Sequence, residues 1–295
     1  MEEGKEREEN GFRLGTKPLM SASVHKFRGI HSLKRRAKMK IGLCTIAFSE
    51  LPLEEVLNIA AEYGFDGVEI WGKEPHTPSK YDEDYFRRIK EITDSKMLEI
   101  AAFGSYVNPL MDDYEQQMET ALRINRTLGS KLIRVWSGGG PSKSIRPHDR
   151  RIIALRLKAM CQWAGLHGIT VATEMHNNNL TDTAETTLQL IQDVGLPGLK
   201  TYYQPCFRND ADAFYECAKL VGTYLANVHA QNARQLDDGS YESCAIADGV
   251  VNYEKIVEIF KSHNYGGYLE IEFVYGENKL AALKNDRGFL AQLLK

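Results

Sequence analysis

The segment Val171-Ala-Thr-Glu-Met-His-Asn-Asn-Asn179 is an apolar run that ends in a carboxylate, an imidazole and three amides. Side chains alternate along a β-strand, so Glu174 and His176 are expected on the same face of one strand. Burying an unpaired carboxylate is costly, and Glu174 therefore needs a cation, a network of donors or water at the mouth of a fold. An ordinary strand end with a solvated glutamate is the simpler interpretation for any single strand.

A repeating β-then-α pattern surrounds this segment from residue 40 to the C-terminus. Short apolar runs rich in β-branched or aromatic residues predict eight strands, near 40–46, 67–71, 98–103, 131–136, 169–174, 199–203, 224–229 and 268–273. Amphipathic stretches lie between them, and three run into glycine-bearing turns, at 63–67, 166–168 and 264–267, as left-handed helix C-caps require. Eight such units favour a closed (β/α)₈ TIM barrel. An open doubly wound sheet is the alternative, but no GxGxxG follows the first strand.

The length and composition predict one soluble globular domain behind a polar extension. Residues 1–38 are polar and lack periodicity, so they are expected to form a disordered or loosely attached extension, and residues 39–295 the barrel. No apolar run reaches the roughly 18 residues that span a bilayer, and the N-terminus lacks the apolar region of a secretory signal. The five cysteines are scattered without CxxC pairs, which indicates reduced thiols in a cytoplasmic protein.

The charge distribution argues against nucleic acid as the main partner. Residues 1–39 carry ten Lys and Arg against five Asp and Glu, whereas the rest of the chain carries 27 against 35. Phosphate binding depends on a basic face, which this acidic body does not offer. The basic cluster at 34–38 is interpreted as a solvated tail, so neither nucleic acid nor a membrane is expected as a partner. The oligomeric state stays open, with a homo-oligomer among the alternatives.

Polar side chains recur at the ends of the last four predicted strands, which end in Glu174, Gln204, His229 and Glu272. The active site of a TIM barrel lies at the C-terminal ends of its strands, so these four side chains are expected to meet. Two carboxylates, an imidazole and an amide oxygen suit one divalent ion such as Mn²⁺, Mg²⁺ or Co²⁺. The alternative is four independent strand ends joined by hydrogen bonds without a metal.

Four segments resemble the xylose-isomerase-like TIM-barrel family, the sugar phosphate isomerase and epimerase superfamily. They are Met39-Lys-Ile-Gly-Leu-Cys-Thr-Ile-Ala-Phe48, Gly64-Phe-Asp-Gly-Val-Glu-Ile-Trp-Gly72, Glu174-Met-His-Asn followed by Leu180-Thr-Asp-Thr183, and Gly249-Val-Val-Asn-Tyr253. The resemblance extends over about residues 39 to 295, and within the family it is greatest to bacterial 3-dehydroshikimate dehydratases. The order of the segments makes the fold specific and the substrate much less so.

The resemblance implies a divalent metal held by Glu, Asp, His and Glu on strands five to eight. Three of these ligands match: Glu174, His229 and Glu272. Gln204 stands where the family has the aspartate, Phe207 where relatives often have a histidine, and Gln231-Asn232 where the family has Lys-Asp. An amide oxygen still coordinates a cation, although less strongly than a carboxylate. Because Glu174, His176, His229 and Glu272 all remain, the chain is interpreted as a retuned enzyme rather than an inactive one.

The implied reaction is proton abstraction next to the carbonyl of a small sugar or keto-polyol polarised by the metal. Return of the proton gives isomerisation or epimerisation, which is the leading hypothesis. Loss of a β-hydroxyl gives a lyase of the dehydroshikimate type, and a non-catalytic sugar-binding barrel is the third alternative. Glu174, Glu272 or His176 is predicted as the base, although His176 equally suits an anchor for the loop that follows it.

Substrate contacts are expected at the same rim of the barrel, where aromatic rings form an apolar wall and arginines bind a carboxylate or phosphate. The predicted substrate-binding residues are Trp71, His76, Phe103, Tyr106, Trp136, Asn177, Arg208, Gln231 and Arg234.

Overall fold

Eight parallel strands close into a barrel in the computed structural model, which describes residues 38–195, 198–206 and 212–295. The strands in chain order are β1 (Lys40–Cys44), β2 (Gly67–Trp71), β3 (Glu99–Gly104), β4 (Leu132–Val135), β5 (Thr170–Glu174), β6 (Leu199–Tyr203), β7 (Leu225–Ala230), β8 (Asn232–Gln235), β9 (Tyr241–Cys244) and β10 (Tyr268–Ile271). The barrel order is β1-β10-β7-β6-β5-β4-β3-β2, which confirms the predicted TIM barrel. The predicted extension, residues 1–38, lies outside the described residues apart from Lys38.

Helices follow the barrel strands and surround them. They are α1 (Leu53–Glu62), α2 (Glu83–Ser95), α3 (Tyr114–Leu128), α4 (Pro147–Gly165), α5 (Ala184–Val194), α6 (Ala213–Val221), α7 (Tyr253–Ser262) and α8 (Lys279–Leu293). Within the described ranges, none of them is both long and apolar enough to cross a membrane. Gly64 and Gly168 take positive φ in the predicted turns, but in the 264–267 turn Asn264, with φ of 55°, occupies the left-handed position instead of a glycine.

The two faces of the barrel strands bury different types of side chain. Outward-facing residues such as Val171 and Val228 join the large apolar core between the barrel and the helices. The apolar cluster inside the barrel is small, with Ala102, Ala172 and Tyr202 as its buried members. Because side chains alternate along each strand, the inward positions that follow these residues point at the C-terminal mouth. Two of those positions, Glu174 and Gln204, are polar, and they belong to the site described next.

Candidate active site

Four buried side chains predicted from the strand ends converge at the C-terminal mouth of the barrel. Glu174 ends β5, Gln204 directly follows β6, His229 lies on β7 and Glu272 directly follows β10. The Nδ1 atom of His229 lies 3.4 Å from Glu174 Oε1 and 3.5 Å from Glu272 Oε1. Gln204 Oε1 lies 3.0 Å from the same nitrogen. The structure thus brings the four side chains to one point, and their role as metal ligands stays a prediction.

The atoms at this point fit a divalent cation. One ligand atom each from Glu174, His229 and Glu272 lies within 4.8 Å of the others. Burial alone would lower the pKa of His229, but the charges of Glu272 and Glu69 raise it well above its usual value. The cluster therefore demands positive charge, which a proton on His229 or a divalent ion supplies.

Glu69, a fully buried residue that the sequence analysis missed, lies on the opposite side of the His229 ring. Its Oε2 is 3.4 Å from His229 Nε2. Metal-binding histidines commonly donate their second ring N–H to a carboxylate, which fixes the tautomer and the ring orientation. With Nε2 held by Glu69, the Nδ1 lone pair of His229 faces Glu174 and Glu272. A lone glutamate within the apolar run of β2 was the available signal.

Gly104 on β3 provides the space that the Glu69 carboxylate occupies. A Cβ atom at position 104 would lie 2.5 Å from Glu69 Oε1 and 3.3 Å from an Arg134 nitrogen. Non-bonded heavy atoms do not approach a methyl group this closely, so any side chain here would displace the glutamate. The glycine is therefore part of the arrangement that supports His229.

Arg134, in the middle of β4, is the second buried charge that the sequence analysis missed. Its Nε lies 3.1 Å from Glu174 Oε2, and its Nη1 donates a hydrogen bond of 3.0 Å to the Ser105 carbonyl. Burial opposes its charge, but Glu174 and Glu69 raise the pKa of Arg134 further above its usual value. Burial by itself would also raise the pKa of Glu174, yet the Arg134 charge overcomes this and the pKa falls to about 2.

A cavity of about 310 Å³ opens above these charges. Four of the residues predicted to bind substrate line it, namely Tyr106, Trp136, Asn177 and Gln231. The Arg134 guanidinium lies 5.2 Å from the ring centres of both Tyr106 and Trp136, so aromatic faces and a fixed positive charge share one wall. Phe273 and His176 also line this cavity.

The other residues predicted to bind substrate are placed differently. Trp71 donates its Nε1–H to the Tyr106 hydroxyl at 2.8 Å, so it positions a lining residue instead of lining this cavity. His76 is fully buried, with its two ring nitrogens bonded to the Thr45 hydroxyl and the Leu51 carbonyl. Phe103 packs in the outer apolar core and Arg234 is exposed on β8. Arg208 lies outside the described residues, as does Phe207.

His176 lies at the edge of the cavity, where its Nδ1 accepts a hydrogen bond of 3.2 Å from the Asn178 N–H. The neutral ring then carries its proton on Nε2. Burial lowers the pKa of His176, although the Glu174 charge opposes this effect. The ring also packs edge-on against Trp136 at 5.2 Å. His176 therefore both anchors the loop after β5 and presents a neutral N–H donor.

The chain matches the model of the xylose isomerase-like TIM barrel family over residues 57–293. It is 27% identical to the 3-dehydroshikimate dehydratase of Bacillus anthracis over 83% of this chain and 94% of that protein. It is 22% identical to the fructoselysine 3-epimerase of Escherichia coli O157:H7 over 80% and 90% of the two chains.

Two solved structures share the fold. The probable 3-DHS dehydratase AsbF from Bacillus anthracis superposes with a TM-score of 0.73 at 23% identity, over 86% of this chain and 99% of that one. A xylose isomerase-like TIM barrel protein from Mycobacterium smegmatis in complex with magnesium gives a TM-score of 0.69 at 17% identity, over 87% and 96%. The family predicted from the sequence is confirmed, and the chain belongs to the xylose isomerase-like TIM barrel family.

Proposed function

We propose that the protein is a divalent-metal-dependent enzyme that removes a proton next to the carbonyl of a small keto-polyol. The observation that carries the proposal is the convergence of Glu174, His229 and Glu272, whose two carboxylates line the 310 Å³ cavity. The relatives with named activities are a dehydratase and an epimerase. Dehydration and epimerisation beside a ketone share the removal of a proton from carbon, which agrees with one site for either outcome.

Glu174, His229 and Glu272 would hold the ion, with Gln204 as a further ligand through its amide oxygen. This mainly oxygen donor set suits Mn²⁺, Mg²⁺ or Co²⁺. When bound, the ion polarises the substrate carbonyl and makes the neighbouring C–H more acidic. The aromatic wall of Tyr106 and Trp136 excludes water from one face of the substrate, and Arg134 on that wall attracts a carboxylate or an electron-rich oxygen.

Glu272 is the better base of the two carboxylates. Both carboxylates would share the ion, but Glu174 is also paired with Arg134 at 3.1 Å, and this second cation makes it the weaker proton acceptor of the two. Among the described residues, no lysine or arginine nitrogen lies within 4.0 Å of the Glu272 carboxylate, whose ion-pair partner there is His229. In the site without a cation, burial raises the pKa of Glu272 to about 7, with the charge of His229 opposing this effect and the charge of Glu174 adding to it.

The difference between the two carboxylates favours elimination over epimerisation. Epimerisation takes a proton from one face of a carbon and returns one to the other face, so it needs two groups that exchange protons. Elimination needs one base and one donor for the leaving hydroxyl. Glu272 would take the carbon proton, the electron pair would form a C=C bond, and the β-hydroxyl would leave. The neutral His176 ring would donate a hydrogen bond from Nε2–H to that oxygen, and Glu272 would pass on the proton it took, so that the hydroxyl departs as water.

Epimerisation is the second candidate, and one observation favours it. Glu174 and Glu272 approach His229 Nδ1 to nearly equal distances, 3.4 and 3.5 Å, so they flank the same point. Two carboxylates on either side of one carbon are the arrangement that a two-base epimerase requires. This outcome was the leading hypothesis from the sequence, and the Arg134–Glu174 pair is the reason it now comes second.

Exchange of substrate protons with solvent tests the shared step. The protein with Mn²⁺, Mg²⁺ or Co²⁺ would be incubated in D₂O with ketoses, inososes and 3-dehydroshikimate, and the loss of C–H signals followed by NMR. We expect exchange with at least one substrate, reduced about 10²–10⁴-fold in Glu272→Gln and unchanged in the exposed control Glu277→Gln. An aromatic product absorbing in the near ultraviolet from 3-dehydroshikimate would identify the lyase. No exchange with any of these substrates and ions would refute the proposal.

A further inference from the structure

Gln204 lies within the donor cluster rather than beside it, and a half-turn of its amide brings either the oxygen or the nitrogen to the same point. With Oε1 turned inward, this oxygen is 3.0 Å from His229 Nδ1. After a half-turn of the amide, Nε2 lies 2.7 Å from Glu174 Oε1, 3.1 Å from Glu272 Oε2 and 3.0 Å from His229 Nδ1. The side chain is 7% exposed, so water competes little for these contacts.

The two orientations suit opposite states of the site. Without a cation, an inward oxygen faces the oxygens of Glu174 and Glu272 and donates to neither, whereas an inward NH₂ donates to both carboxylates. With a cation, an inward NH₂ points hydrogens at a positive charge, whereas the oxygen coordinates it. An aspartate at this position has no hydrogen to donate and would add a third carboxylate beside Glu174 and Glu272. Glutamine, unlike aspartate, therefore serves the site in both states.

We propose that the amide of Gln204 reversibly takes the place of the metal ion. In the metal-free protein its NH₂ group bridges Glu174 and Glu272, and on metal binding the amide turns so that Oε1 becomes a ligand. The inference rests on the proposed function only for the presence of an ion. It adds that the ion must displace two hydrogen bonds to enter, so this site binds metal weakly and keeps its structure when the metal leaves.

The substitution Gln204→Glu tests this, because it keeps the shape of the side chain, removes the NH₂ donors and leaves an oxygen ligand. In EDTA, we expect the variant to unfold at a lower temperature than the wild type. In isothermal titration with Mn²⁺, we expect it to bind at least tenfold more tightly. The matched control is Gln231→Glu, which adds the same charge to the same cavity outside the cluster, and its Mn²⁺ affinity should change less than threefold.

Selective labelling of glutamine side chains with ¹⁵N gives a second measurement on the wild type. The Gln204 NH₂ signals, assigned by their loss in Gln204→Met, should exchange slowly with solvent in EDTA and shift on addition of the diamagnetic ion Mg²⁺. Fast exchange in EDTA, or equal Mn²⁺ affinity in the wild type and Gln204→Glu, would overturn the inference. These readouts need no substrate. Failure of every substrate in the exchange assay would therefore refute the proposed function and leave this inference standing.

Discussion

Replacing Arg134 by methionine is expected to destabilise the metal-free protein by about 3–5 kcal/mol. Methionine retains most of the apolar stem but donates no hydrogen bond, so Glu174 Oε2 loses its cation at 3.1 Å and the Ser105 carbonyl its donor at 3.0 Å. Removing one partner of a buried ion pair costs about 3–5 kcal/mol, and an unsatisfied buried acceptor about 1–3 kcal/mol. The two costs do not add in full, because Glu174 takes up a proton once its pKa is released from about 2.

Urea unfolding in EDTA at pH 7, followed by tryptophan fluorescence and circular dichroism, measures this cost. The control is Arg150→Met, because Arg150 pairs with Asp193 at a similar distance, 2.9 Å, on the partly exposed surface of the barrel. An exposed pair contributes about 0–1 kcal/mol, so the control should lose no more than that. The double variant Arg134→Met with Glu174→Gln should recover much of the lost stability, since the amide needs no counter-charge.

A divalent ion offers an independent check on the cause. Because the ion would neutralise the same carboxylate, saturating Mn²⁺ should restore more stability to Arg134→Met than it adds to the wild type. The reasoning is refuted if Arg134→Met loses no more free energy of unfolding than Arg150→Met. It is also refuted if Glu174→Gln gives no recovery, because the loss would then come from packing and not from the unpaired charge.

The remaining predictions concern two other buried positions. Gly104→Ala should displace the Glu69 carboxylate and lower the Mn²⁺ affinity about 10–100-fold. The control Gly165→Ala should leave the Mn²⁺ affinity unchanged, because no heavy atom lies within 4 Å of the new Cβ. Burial raises the pKa of Asp286 to about 6. The stabilisation that the protonated carboxyl provides is therefore fully present below about pH 4 and is lost as the pH rises to about 6. Asp286→Asn keeps the acceptor for the Ile246 N–H at 2.9 Å and should melt about 2–4 °C higher than the wild type at pH 7, but no higher at pH 4.

The barrel was predictable because its strands are short apolar runs separated by amphipathic helices. Each predicted strand overlaps an observed one, and the bounds differ by at most two residues. The hairpin of β8 and β9 was missed for a physical reason. Its strands are largely exposed and polar, so they show no alternation, and β8 begins two residues after β7 ends. The pair Asp238-Gly239 is a hairpin turn signal, but it has no apolar strands beside it.

The site was predictable where polar residues follow an apolar strand and unpredictable where they interrupt one. Glu174, Gln204 and Glu272 stand at strand ends, and parallel strands bring those ends together. Glu69 and Arg134 lie within β2 and β4, where an inward charge is stable only if partners from other strands meet it. Those partners depend on the register of the barrel, which the sequence alone does not supply.

Arg134 and Gln204 are connected through the charge balance of the mouth. Three carboxylates, on Glu69, Glu174 and Glu272, face the Arg134 cation and the ring of His229. An aspartate at position 204 would add a fourth carboxylate to this metal-free cluster. Glutamine adds no charge, and its amide NH₂ supplies donors to Glu174 and Glu272. Weak metal binding and an ordered metal-free site are thus two consequences of one substitution in the family pattern.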